Sequence, residues 1–333
     1  MMNFLNFPTW LRPEIIPGFP LRWYGLMYVL AFGTAYFLFV YQLKRDKLSM
    51  NQDDALNLFL WTILGLLIGA RIFATLIYDT SGYYLRNPWL IFWPFRDGRF
   101  TGLQGMSYHG GVIGAVVGGY LYCRKHRLSF FHIADLVTAG IPLGYTFGRI
   151  GNFINGELWG RVTERPWGIL FPAAPKFSVD IPWVAEIVDR IALPVANTTL
   201  FVNLPRHPSQ LYEALLEGVL LWLVVWFLVR PRKRFHGAVI SVYLIGYGAA
   251  RFFVEYFREP DRDLGFIISL GRESEPAALL LSVWNFSMGQ LLSFLMIIAG
   301  AALFLILRHV SGNTINEPAK RRGGNKRSKA ARR

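Results

Sequence analysis

Several uninterrupted apolar runs, each about as long as a lipid bilayer's hydrocarbon core is thick, constrain this chain more than any other feature. Some 20 helical residues span a core of roughly 30 Å. Runs of this kind fall at about 20 to 42, 56 to 78, 107 to 123, 131 to 147, 210 to 229, 237 to 257 and 286 to 307. Hydrophobic residues make up 53% of the chain and aromatic residues 16%, which supplies the apolar surface such spans need. The runs lack the two-residue alternation of a barrel strand, so helices are the structure that satisfies their backbone within lipid. The expected fold is an all-α polytopic membrane protein of about seven transmembrane helices.

Basic residues between the runs set an expected orientation. Lys44, Arg45 and Lys47 follow span 1; Arg124, Lys125 and Arg127 follow span 3; Arg230, Arg232, Lys233 and Arg234 follow span 5; Arg308 and eight further Lys or Arg follow span 7. Strict alternation puts all four clusters on one side, which the positive-inside rule makes cytoplasmic. The N-terminus is then outside and the C-terminus inside, and the long connections 80 to 106, 148 to 209 and 258 to 285 lie on the outer face. The organisation expected is a transmembrane catalytic domain over 1 to 309, including an outer arm at about 80 to 106 and a small extracytoplasmic head at about 162 to 206. A basic, disordered cytoplasmic tail occupies 310 to 333. The Pro-rich character of the head segment, with Pro166, Pro172, Pro175, Pro182, Pro194 and Pro205, argues for irregular extramembrane structure.

The net charge of +14 does not point to nucleic acid. Nine of the 35 basic residues lie from Arg308 onward, and ten more form the three loop clusters that account for orientation. The tail is expected to lie against anionic lipid. The single cysteine, Cys123, excludes an internal disulfide and a CxxC centre, and His126 and His132 stand at the wrong spacing to complete a metal site with it. It is expected to be a buried, inert thiol. The opening residues carry too little basic charge for a signal peptide.

Charged and polar residues concentrate in four places near the outer ends of the runs. Ser107-Tyr108-His109-Gly110-Gly111 opens span 3, where Gly114, Gly118 and Gly119 allow another helix or an acyl chain to approach closely. His109 is either a histidine anchored at the headgroup level or a proton acceptor for a group such as a thiol. The stretch Gly148 to Arg161, GRIGNFINGELWGR, gathers Arg149, Glu157, Arg161, Asn152, Asn155 and four glycines at the end of an apolar span. A guanidinium and a carboxylate at membrane depth must face each other, a cavity or a charged ligand. Arg149 can grip a phosphate through two parallel hydrogen bonds or pair with Glu157. In span 6, Tyr247, Arg251 and Glu255 are four apart and share a face. Finally, Arg206-His207-Pro208-Ser209-Gln210-Leu211-Tyr212-Glu213 leads into span 5, where Glu213 and Glu217 share a face and need cations such as Arg71 or the arginines above. That last constellation suits a structural role, although His207 is the other outer-face histidine able to act as base.

Taken with Trp23-Tyr24-Gly25-Leu26-Met27-Tyr28 and Ser287-Met288-Gly289-Gln290, these segments resemble, in order from about Tyr24 to Gln290, those of the bacterial prolipoprotein diacylglyceryl transferases. The fourteen-residue signature from Gly148 is highly specific. The resemblance implies an inner-membrane transferase that moves the diacylglyceryl group of phosphatidylglycerol onto the lipobox cysteine of a prolipoprotein, forming a thioether and releasing glycerol phosphate. It carries the family's functional positions onto Tyr24, His109, Arg149, Asn152, Glu157, Gly160, Tyr247, Arg251 and Glu255. The segment from Val162 to Leu204 matches no motif of the family, and the basic tail is an addition.

The chemistry suits those residues. A thiol attacking a glyceryl carbon must lose a proton, and the departing phosphate gains charge as its C–O bond breaks. His109 is the expected base, unless Arg251 and water assist thiolate formation. Arg149 and Arg251 are expected to stabilise the leaving phosphate, Asn152, Tyr24 and Tyr247 to line the lipid headgroup site, and Gly160 to let backbone approach it. Glu157 and Glu255 are expected to hold the arginines. No metal and no cofactor is implied. Rival readings are a lipid or anion transporter using the same arginines as a path, which usually brings inverted repeats, a scaffold with merely paired charges, and a metal-dependent headgroup transferase.

Overall fold

A computed structural model describes residues 4 to 316 apart from 17, 19–20, 47, 49, 97, 101–104, 197, 261–264 and 272–275. Most of the expected tail, 317 to 333, lies outside the described residues, as do parts of the arm.

Nine helices carry the argument: α1 (Trp23–Arg45), α2 (Gln52–Leu76), α3 (Tyr108–Lys125), α4 (Phe130–Thr138), α5 (Ile141–Ile154), α6 (Pro182–Arg190), α7 (Ser209–Arg232), α8 (Ala238–Val254) and α9 (Met288–Asn316). Of these, α1, α2, α7 and the Met288–Ser311 part of α9 are long and apolar enough to cross a membrane, and α8 is a shorter apolar helix. Local chemistry starts and stops them. Asn51 caps α2 by accepting from the Asp54 amide at 2.8 Å while Asp54 accepts from Asn51, a reciprocal capping box. Ser107 caps α3, accepting from the Gly110 amide at 3.1 Å. Lys44 and Arg45 close α1, and Arg124 and Lys125 close α3, where cations complement the helix dipole.

The run expected at 131 to 147 as one helix is two, α4 and α5, interrupted at Ala139-Gly140. Pro142 has no N–H to give to the carbonyl four residues back, so the ladder breaks there. The second helix continues to Ile154, which puts Arg149 and Asn152 on regular helix. At the other end of the chain α9 runs on to Asn316, so the first residues of the expected tail are helical.

Helix pairs pack through small residues. A Cβ placed on Gly114 would fall on the carbonyl oxygen of Gly65, and one on Gly110 on that of Gly69, so α2 and α3 touch backbone to backbone along a glycine seam. The small residues of α3 therefore serve a helix neighbour. The same intimacy holds at Gly218, where α7 meets Thr146 of α5. Around this point α7 is π-helical, over Ala214–Leu220 and again over Val224–Val229, which changes the angular spacing of its side chains. Asp135 of α4, fully buried, accepts from the amides of Gly237, Val239 and Ile240 at 2.9 to 3.1 Å and so caps α8 from a neighbouring helix. Cys123 lies buried among Phe39, Leu58, Phe59 and Leu136.

The segment expected as a head folds about its own core. Val162, Val184, Ile187, Ile191, Val202 and Leu204 pack together with Phe4 and Ala278 from distant parts of the chain. Short strand pairs staple it: Leu5–Asn6 runs parallel to Ile169–Leu170, and Phe177–Ser178 runs antiparallel to Phe201–Val202. These, with Phe95–Arg96 against Arg99–Phe100 and Phe266–Ser269 against Asn285–Ser287, are departures from a purely helical chain, and they fall in the connections.

Candidate active site

The charged residues of the motifs meet where α5, α7 and α8 come together, and a carboxylate of α7 is the hub. Helix α5 places Tyr145, Arg149 and Asn152 on one face by its four- and three-residue spacing. Helix α7 brings Glu213 and Glu217, both fully buried, and α8 brings Tyr247 and Arg251. Glu213 Oε2 lies 2.7 Å from Arg149 Nε; its Oε1 lies 3.0 Å from Arg251 Nη1 and 3.2 Å from Arg258 Nη1. Arg149 and Arg251 therefore share one buried carboxylate. Glu217 Oε2 accepts from the Tyr145 hydroxyl at 2.6 Å, and that hydroxyl accepts from Arg149 Nε at 2.6 Å. Glu217 Oε1 stands 3.8 Å from Arg251, and Glu255, one turn beyond, pairs with Arg251 Nη2 at 2.9 Å.

The two arginines differ in what remains free. Arg149 spends its Nε on Tyr145 and Glu213 and stacks over the Tyr145 ring, with 17% of its side chain exposed. Its two terminal nitrogens make no hydrogen bond among the described residues. Arg251 has both terminal nitrogens against carboxylates. Three cations (Arg149, Arg251, Arg258) and three carboxylates (Glu213, Glu217, Glu255) stand together.

Glu157 does not hold Arg149. The helix ends at Asn155, Gly156 turns the chain with φ +65°, and Glu157 folds back to accept from Asn152 Nδ2 at 2.9 Å and Asn155 Nδ2 at 3.3 Å. Only Gly takes that φ without strain. Tyr24 of α1 packs over Gly151 and reaches the Asn152 side chain, with its hydroxyl 2.9 Å from that of Tyr28. Tyr24, Asn152 and Glu157 thus form one polar group and Arg149, Arg251 and Glu255 another, joined through α5. Tyr247 belongs to the second, its ring edge-on to Tyr145 at 5.6 Å.

Gly160 has a packing reason for being glycine: a Cβ there would fall on the Phe257 carbonyl oxygen and on His207, and its amide donates to the His207 carbonyl at 2.8 Å. Arg161 is buried and donates to the carbonyls of Arg258 at 2.9 Å and Leu279 at 2.6 Å. Arg206 pairs with Glu259. These contacts anchor the signature to the chain that follows α8, which is how Arg258 comes to reach Glu213.

His109 stands apart. It is exposed at the start of α3, and its hydrogen bond among the described residues joins Nδ1 to the Tyr78 hydroxyl at 2.8 Å. His207, the other histidine considered, bonds through Nδ1 to Tyr212, which also accepts from Trp167. Burial disfavours its charged form, and Arg165 and Arg161 add to the effect, pushing its pKa down to about 4. An imidazole of that kind is a weak proton acceptor for a thiol. Arg71, expected as a cation for Glu213 or Glu217, instead donates to backbone carbonyls of the arm, including Gly105 at 3.2 Å, and caps no carboxylate of α7.

Arg149, Arg251 and Glu255, expected near one another, stand around one carboxylate; Glu213 and Glu217, expected in a structural role, take the arginines rather than Arg71, and Tyr145 and Arg258 are additions to the expected set. The available signal was the pair of carboxylates one turn apart in an otherwise apolar span, with a tyrosine four residues before Arg149.

A family model described as prolipoprotein diacylglyceryl transferase matches residues 13–306. The chain is 51% identical over 324 residues to the phosphatidylglycerol--prolipoprotein diacylglyceryl transferase of Treponema denticola, covering 92% of this chain and 95% of that one. It is likewise 51% identical over 308 residues to the protein of that name from Treponema pallidum, covering 88% and 92%, and 37% identical over 324 residues to that of Borreliella burgdorferi, covering 95% and 97%. A match of this extent establishes that the protein belongs to the prolipoprotein diacylglyceryl transferase family.

Proposed function

We propose that this chain transfers the diacylglyceryl group of phosphatidylglycerol to the thiol of the lipobox cysteine of prolipoproteins. The cysteine sulfur attacks the glyceryl carbon that bears the phosphate; the S–C bond forms as the C–O bond breaks, and the electron pair leaves with glycerol phosphate. The observation that carries the reading is the free terminal fork of Arg149, immobilised through Nε by Glu213 and Tyr145. A planar donor pair with no hydrogen bond of its own among the described residues, beside a second guanidinium, suits a tetrahedral phosphate. A fixed donor of this kind is commonly worth about 3 to 4 kcal/mol to a transition state that gathers charge.

Arg251 adds positive potential without offering its fork, and Glu255 positions it. The Tyr24, Asn152 and Glu157 group takes the glycerol hydroxyls of the headgroup, for which a carboxylate and an amide are natural partners. His109 takes the thiol proton on Nε2 when Nδ1 donates to Tyr78. Tyr247 and Gly160 shape the site by packing. The bilayer is crossed by α1, α2, α3, the α4–α5 pair, α7, α8 and α9, seven passages in a bacterial inner membrane, with the N-terminus and the head outside and the C-terminus in the cytoplasm. The positions of the basic clusters support that orientation.

The test mixes purified protein, phosphatidylglycerol and a synthetic lipobox peptide and looks by mass spectrometry for the thioether adduct. Adduct on the Cys peptide and none on its Ser counterpart is expected; absence of adduct on the Cys peptide would overturn the proposal.

A further inference from the structure

The end of the bundle opposite the charge cluster holds a second concavity. Between the C-terminal end of α7, the start of α8 and α9 lies a cavity of about 490 Å³. Its rim carries Arg232, Lys233, Arg234 and Arg308, and its wall includes Phe235 and Phe304, whose rings meet edge-on at 5.1 Å. No carboxylate stands among its lining residues. Two of the cations are partly engaged: Arg232 donates to the Leu228 carbonyl at 3.1 Å, and Lys233 lies 3.5 Å from Asp135. Arg234 and Arg308 are exposed and have no polar partner among the described residues.

Positive charge on short loops suffices to orient a membrane protein, but orientation asks for no walled recess. Here unpartnered guanidiniums stand over an apolar wall between helices. Basic pockets of that kind on the cytoplasmic side suit lipid headgroups with acyl chains below them. We infer that this recess binds the phosphate-bearing headgroup of an anionic phospholipid of the inner leaflet, with Arg234 and Arg308 on the phosphate and Phe235 and Phe304 against the acyl chains. The inference rests on the orientation proposed above, and the lipid bound here is a resident that stands far from the reacting atoms.

The test uses the full-length protein in vesicles of phosphatidylcholine containing a trace of phosphatidylglycerol that carries a photoreactive acyl chain. Labelled peptides are mapped by mass spectrometry, and transfer activity is measured on the same sample. Labelling of the peptides around Phe235 and Phe304 is expected to exceed that from an equivalent phosphatidylcholine probe by roughly fivefold or more. It is expected to fall to the phosphatidylcholine level in the R234Q/R308Q double variant, whose transfer activity stays at the wild-type value. Equal labelling by the two probes, or labelling untouched by R234Q/R308Q, overturns the inference. Equal competition by soluble glycerol phosphate also overturns it, assigning the recess to a free phosphate ester. If labelling behaves as expected while transfer is absent, the proposed function fails and the lipid site stands.

Discussion

Glu213 holds Arg149 by its Nε, at 2.7 Å, and so leaves the terminal nitrogens of that guanidinium unspent. An arginine buried near lipid needs a counter-charge. A carboxylate that took the fork would satisfy it and silence it together. Engagement through Nε satisfies the charge and keeps the two-pronged donor surface for a ligand.

Replacing Glu213 by Gln keeps the shape and removes the charge on which Arg149, Arg251 and Arg258 converge. Arg251 keeps Glu255, but Arg149 and Arg258 lose their carboxylate, and breaking a buried ion pair from one side costs about 3 to 5 kcal/mol. E213Q is expected to lower the thermal midpoint in detergent and to reduce transfer by roughly a hundredfold or more. Wild-type turnover in a folded E213Q protein would show the hub to be dispensable.

Arg149→Lys separates charge from geometry. A lysine has neither the Nε anchor nor the fork, so R149K is expected to lose on the order of a hundredfold in kcat and to resemble R149Q. Near-normal turnover in R149K would mean that point charge alone is needed at this position.

His109→Gln removes the expected proton acceptor and is expected to cost about 10²- to 10⁴-fold in transfer. Tyr78→Phe should lower transfer while leaving it measurable, because it frees the Nδ1 that Tyr78 now engages and loosens the ring's orientation. Unchanged transfer in H109Q would hand proton removal to another group.

The α2–α3 seam has no room for a side chain, since a Cβ on Gly114 coincides with the Gly65 carbonyl oxygen. G114A is expected to destabilise by about 1 to 3 kcal/mol through overpacking, read as a lower thermal midpoint. An unaltered midpoint would show that the two helices separate without cost.

His207 is kept neutral by burial, with a pKa moved from 6.5 down to about 4. Between those values the unfolded chain binds more protons than the folded one, so stability rises with pH across that window and falls as the pH drops towards 4. The wild type is expected to lose more thermal stability between pH 6.5 and 4 than H207Q does, by at most about 3 kcal/mol. Parallel pH profiles for the two proteins would rule His207 out as the source.

Apart from 131 to 147, the apolar runs coincide with helices of the bundle, and the capping residues Asn51 and Ser107 mark the starts of α2 and α3 in the linear string, because bilayer thickness and unsatisfied helix-end amides act locally. The break at Pro142 interrupts the run expected at 131 to 147, which apolarity alone concealed. That Arg149, Arg251 and Glu255 stand near a common site was legible too, since charges in apolar spans must find company. Which partner each one takes was not. Glu157 lies eight residues from Arg149 yet turns away to two asparagine amides, while Glu213, from another helix, takes the pairing. Burial demands a counter-charge without naming it, and the choice falls to helix packing: the glycine contact at Gly218, the π-helical stretch of α7 and the strap from Gly160 to Arg258 together decide which carboxylate arrives at which nitrogen.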